Sequence, residues 1–127
     1  MNKDEIIQAS KNIFNRFTTT CLQIPDEIFF LQSGEKWSIS QNADHLIRAV
    51  KTTRLAYSLP KFFIRVCFGK PNRSSKTYDD LVAKYKLKLE QGGKASGRYI
   101  PKITTIKKFP LIQKWQKENE KYKKKRI

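Results

Sequence analysis

From Ile6 to Ile28 an apolar or small side chain returns every three or four residues: Ile6, Ser10, Ile13, Phe17, Cys21, Ile24 and Ile28, with Ile7 and Phe14 beside them. At 3.6 residues per turn these positions share one arc, the width of a core-facing stripe. Lys3, Lys11, Asn15 and Arg16 lie on the polar side. The spacing predicts a helix over residues 4–30 that needs a partner for one face. Pro25 interrupts it. Proline lacks an amide donor and its ring clashes with the preceding turn, so a kink or split is expected there. Asp26-Glu27 suit the start of a resumed segment.

The same period returns downstream. Ser33-Gly34-Glu35-Lys36 reads as a turn. Ser38 is an N-cap residue, and Gln41, three residues on, completes a capping box. A second helix follows over about 39–58, with Ile39, Ala43, Leu46, Ile47, Val50 and Tyr57 as its apolar arc, and Pro60 ends it. Residues 59–77 are a connection, and periodicity cannot decide whether its apolar half is a short helix or an extended segment. Gly69-Lys70-Pro71-Asn72 reads as a turn. Thr77 with Asp80 caps a piece at about 78–90, striped by Tyr78, Leu81, Val82, Tyr85 and Leu89 and stopped by Gly92-Gly93. Residues 91–108 read as loop. Pro110 suits the first position of a last helix, which turns Leu111, Ile112, Trp115 and Tyr122 one way. The expectation is a single all-α domain over residues 1–127: three long helices, a short one, and a long crossover connection.

Charge narrows the partners. The 127 residues carry 27 Lys and Arg against 11 Asp and Glu, a net charge of +16, which attracts polyanions. Twenty of the cations are lysine and seven arginine, and specific base or phosphate recognition leans on arginine forks. The N-terminus enters an amphipathic pattern instead of an apolar leader, and the longest apolar run, Phe62 to Phe68, is short and holds Arg65. A cytoplasmic location and no membrane partner are therefore expected. Cys21 and Cys67 have no metal-type spacing and read as small buried hydrophobes.

Several stretches resemble a known family. Lys36-Trp-Ser-Ile-Ser-Gln-Asn-Ala-Asp-His-Leu46 looks like the signature that opens the second helix of the DinB-like (YfiT-like) superfamily. The segments 59–73, 76–85 (Lys-Thr-Tyr-Asp-Asp-Leu-Val-Ala-Lys-Tyr) and 96–101 (Ser-Gly-Arg-Tyr-Ile-Pro) are similar to one subgroup of it. The resemblance implies an antiparallel four-helix bundle with a long connection after its second helix. It implies a divalent metal, zinc or nickel, on three histidines, the first at the position of His45 and two more in His-x-x-x-His spacing on the last helix. Some relatives are thiol-dependent transferases or isomerases. This chain departs from the pattern: His45 is its only histidine. By resemblance it is an incomplete, truncated bundle, cut off inside its third bundle helix, without the second and third ligands and not catalytically competent alone. A bundle short of one helix is expected to self-associate through the exposed seam.

His45 shares its helix face with Gln41, Ala49, Thr52 and Ala56, while Asp44 lies about 100° away. That face has small side chains, which leaves room for close packing or a pocket. One reading makes His45 a first metal ligand or acid–base group; the other makes it a partly buried histidine donating one hydrogen bond. Trp37 reads as an anchor packing on the bundle, and Ser38 as a cap without a base to activate it. Gly92-Gly93 and Gly97 lack the spacing of a phosphate loop. No catalytic residue is assigned. The alternative function is a basic nucleic-acid-binding helical module, with Lys121 to Arg126 as phosphate contacts.

Overall fold

The computed structural model describes residues 2–102 and 107–126, apart from the side chains of Lys3, Lys123, Lys125 and Arg126. The loop expected at 103–106 and those side chains of the basic tail lie outside the described residues. The described structure is all-α, and no helix in it is long and apolar enough to cross a membrane. It contains six α-helices, α1 (Lys3–Gln23), α2 (Asp26–Phe29), α3 (Ile39–Ser58), α4 (Lys61–Phe68), α5 (Tyr78–Glu90) and α6 (Lys108–Arg126), with a 3-10 turn at Gly97–Tyr99. They fall into two compact units, one from residues up to 58 together with those from 99 onward, the other from Leu59–Arg98.

In the first unit, local chemistry sets the helix ends. Asn2 accepts from the Glu5 amide at 2.9 Å and the Glu5 carboxylate accepts from the Asn2 amide at 2.8 Å, so two orphan donors at the start of α1 are satisfied. Pro25 splits the expected 4–30 helix. Ile24, the residue before it, is extended at φ −76°, ψ 132°, as steric conflict with a following proline requires. Asp26 and Glu27 then open the single turn of α2. At α3, Ser38 Oγ accepts from the Gln41 amide at 3.1 Å and Gln41 Oε1 accepts from the Ser38 amide at 2.8 Å, the capping box expected from sequence. The last helix begins at Lys108, two residues before the start expected at Pro110. Pro110 therefore sits third, still within the first turn, where a helix has no use for its amide.

The core forms where three helix stripes meet. α3 packs most extensively on α6, α6 also packs on α1, and α2 touches α3. Cys21, Phe29, Ala43, Ile47, Leu111, Ile112 and Trp115 are buried, with Phe14, Phe17, Ile24, Ile39, Leu46 and Val50 packed around them. Phe14 and Phe17 meet the Trp115 ring edge-on, at 5.2 and 5.1 Å between centroids. Each large side chain buried here contributes about 1.5–3 kcal/mol by leaving water. Four positions assigned to the stripes depart from expectation: Ile6, Ile13, Ile28 and Tyr57 are exposed. The stripes extend farther than the helix contacts do, so only their overlapping parts are covered.

The second unit has regular helices without a core. Pro60 opens α4, so the apolar half of the connection is helical, and Gly69 at φ +75° ends it. Thr77 and Asp80 form the second expected capping box, with Thr77 Oγ1 accepting from the Asp80 amide at 3.2 Å. α5 stops where the Gly93 amide donates back to the Lys88 carbonyl at 2.7 Å, an approach so close that a Cβ on residue 93 would lie 2.6 Å from that oxygen. No described residue between 59 and 98 is buried. Tyr78, Leu81, Tyr85 and Leu89 are exposed along the α5 stripe, and Val82 is half-buried.

Candidate functional site

The capping box that starts α3 also fixes the residues around it. Ser38 and Ser40 are buried, and their hydroxyls lie 2.8 Å apart. One turn further on, α3 presents Asp44 and His45. The His45 ring lies against Trp37, 5.3 Å between centroids and tilted by 50°. Trp37, expected to anchor by packing on the bundle, is instead exposed, with its ring against His45.

His45 Nδ1 lies 2.7 Å from the carbonyl oxygen of Tyr99. A carbonyl can only accept, so Nδ1 carries the proton and donates. In the neutral ring Nε2 then holds the free lone pair. This hydrogen bond to a backbone carbonyl is the arrangement that orients metal-ligating histidines, and it also satisfies a half-buried structural one.

Asp44 does not join His45 in a ligand set. Its carboxylate is buried, and Oδ2 accepts from Arg48 Nε at 2.7 Å and from the Lys102 amide at 3.2 Å. Adjacent residues on α3 thus hold two points of one segment, His45 at Tyr99 and Asp44 at Lys102, with Pro101 buried between them. Sequence reasoning treated Asp44 only as a ligand that points the wrong way. Its partner lies 58 residues away and is a backbone amide, which no spacing rule marks.

The donor set does not fit a divalent metal. Stable sites use three or four protein ligands in fixed geometry. The chain has one imidazole, and no group of three or more His, Cys, Asp or Glu that could hold an ion occurs among the described residues. The rest of the face expected around His45 is partly covered: Gln41, Ala49 and Thr52 are half-buried and Ala56 is exposed.

Two further polar groups lie in the same unit. On α6, Glu118 and Asn119 are buried, continuing the stripe of Leu111, Ile112 and Trp115 by one turn. Glu118 accepts from Arg54 Nε of α3 at 3.2 Å, with Lys121 Nζ at 3.7 Å. Trp115 Nε1 and Asn119 Oδ1 are buried without a hydrogen-bond partner among the described residues. The spacing of 111, 112, 115, 118 and 119 could have revealed this face, since all five follow the helical period. The second group surrounds Lys108, whose Nζ donates to the Ile24 carbonyl, pairs with Asp26 at 3.1 Å and lies 5.7 Å from the Phe29 ring centroid. Burial pushes the nearby Cys21 thiol above its ordinary value of 9.0, against the opposing charge of Lys108. Compared with protein-family models, with curated proteins and with solved structures, the chain matches none of them.

Proposed function

We propose that this chain is a DinB-like helical domain carrying one corner of a site for metal-dependent, thiol-transferase-like chemistry, and that it is not competent for that chemistry alone. The observation that carries the reading is the 2.7 Å hydrogen bond from His45 Nδ1 to the Tyr99 carbonyl. It holds the imidazole in the tautomer a ligand needs, with Nε2 free, at the position where the family resemblance puts a first ligand. The bound segment includes part of Ser96–Pro101, one of the stretches that carry the resemblance. Exposed Ile6 and Ile13, neighbours on one side of α1, support self-association as part of the same reading.

Calorimetric titration of zinc and nickel salts into the full chain tests it. The expected result is no stoichiometric binding, and no difference between the parent and His45→Ala. Tight one-to-one binding that disappears in His45→Ala would overturn the assignment of an incomplete site. Sedimentation velocity across a concentration series addresses self-association, and a purely monomeric profile at all concentrations would remove that part of the reading.

A further inference from the structure

α4 has eight residues and leaves most of its apolar surface in water. Phe62, Val66 and Phe68 are 69%, 78% and 80% exposed, and Phe63 and Cys67 are exposed beside them. A helix this short is unstable in isolation, and helices normally gain their stability by packing an apolar face. The unit that contains it supplies no buried residue for that face.

The charge around this surface is of one sign. Between Leu59 and Tyr78 the chain has five cations, Lys61, Arg65, Lys70, Arg73 and Lys76, and no acidic residue. The whole segment 59–98 holds ten Lys and Arg against three Asp and Glu. At 100° per residue, Lys61 and Arg65 stack on one narrow side of α4 with Phe68 beside them, whereas Phe62, Phe63, Val66 and Cys67 spread over the other. An open depression at the C-terminal end of α4 is lined by Lys61, Arg65 and Lys70 together with Ile64, Phe68 and Pro71. Cations and apolar groups therefore occur side by side within one turn-and-helix.

We infer that α4 and the turn after it form a docking surface for an anionic lipid bilayer, attached at the interface and not spanning it. Phe62, Phe63 and Val66, which share one side of α4, enter the boundary between headgroups and acyl chains. Lys61, Arg65 and Lys70 meet lipid phosphates and carboxylates, their aliphatic stems lying along the apolar surface. A second copy of this face is a poor occupant, because pairing would bring two cationic rims together. A nucleic acid would use the same charges but gives Val66 and the edge of an amphipathic helix nothing to enter. The sequence-based expectation of no membrane partner rested on span length, which does not bear on a helix lying in the interface. The inference does not depend on the reading of His45.

Vesicle co-sedimentation of the full chain tests it, using phosphatidylcholine with about 30% phosphatidylserine against pure phosphatidylcholine at about 0.15 M salt. Binding to the anionic vesicles is expected to be at least about tenfold tighter. Phe62→Ser combined with Val66→Ser should weaken it by about tenfold or more, and Lys61→Ala combined with Arg65→Ala by a similar factor. All four side chains are exposed, so circular dichroism should be unchanged. Cys67 offers an internal probe, because Cys21 is buried: an environment-sensitive fluorophore on Cys67 should shift to the blue on the anionic vesicles. Four results would overturn the inference: no sedimentation with anionic vesicles, binding indifferent to the Phe62/Val66 substitutions, a Cys67 probe that stays in water, or tighter binding to a single-stranded oligonucleotide that depends on the same residues.

Discussion

α3 and α5 start in the same way and end in different environments. Each opens with a capping box, Ser38 with Gln41 in one and Thr77 with Asp80 in the other. Each carries an apolar stripe at helical spacing. Yet α3 buries Ala43 and Ile47 against α6, while α5 buries no residue at all. Period and caps decide that a segment is helical, because both act within one or two turns. They do not decide whether its apolar face finds a partner. That depends on which other stripe the chain brings near, a long-range property.

The largest difference is expected when one aromatic ring is truncated in each unit. Trp115→Ala empties the place where Phe14 and Phe17 converge and should cost about 3–5 kcal/mol, a large share of an ordinary chain's stability. Phe62→Ala removes an aromatic ring that is mostly in water and should change stability by less than about 0.5 kcal/mol. Urea unfolding followed by far-ultraviolet circular dichroism measures both. Equal losses would mean that α4 is as firmly packed as α6, which contradicts the exposure seen for its side chains.

A smaller effect is expected at the buried ion pair. Arg54→Met leaves Glu118 without its partner in the α3–α6 contact. Breaking such a pair costs about 3–5 kcal/mol when fully buried, and Arg54 is partly exposed and Lys121 stands by, so about 2 kcal/mol is expected here. Arg54→Met with Glu118→Met should recover most of it. A double variant no better than the single one would show that Glu118 is stabilised mainly by something other than Arg54. Next in size are the two caps. Ser38→Ala should cost about 1 kcal/mol in global unfolding. Thr77→Ala should leave that transition within a few tenths and lower only the protection of α5 amides from hydrogen exchange.

These cases show how much of the molecule was legible beforehand. The long helices and α5 were, because caps, prolines and the 3–4 spacing are local signals, whereas the Asn2 cap was missed and α4 was left open between helix and extended chain. Pro25 was readable as an interruption, and the choice of a split followed from Ile24 being forced into extended backbone. Ile6 and Ile13 were misassigned for the same reason that α5 was: a stripe states what a helix could bury, and nothing in it states how far the partner reaches. At the candidate site, His45 was visible as a residue but its partner was not. Tyr99 contributes a carbonyl oxygen, which every residue possesses, at a separation of 54 positions. Asp44 was passed over on the same ground. Glu118 and Asn119 were overlooked although the period pointed to them, because a charged residue and an amide are weighted towards the surface.

The smallest effect concerns the two cysteines, which sequence reasoning treated alike as buried. Cys21 belongs to the core and Cys67 lies exposed on α4. Burial raises the Cys21 thiol above its ordinary value, so the folded chain holds that proton where an unfolded one releases it. The contribution to stability is complete below the unfolded value of 9.0 and declines as pH rises through it towards the higher folded value. Stability should therefore fall in the alkaline range, and Cys21→Ala should flatten that part of the pH profile while Cys67→Ala should not. Thiol labelling under native conditions gives the matching readout. One thiol should react at the rate of a free cysteine and the other only as fast as the α1–α6 contact opens. If both reacted at the same rate, Cys21 would be as accessible as Cys67, and the contrast between a packed unit and an unpacked one would fail at the position where it is simplest to measure.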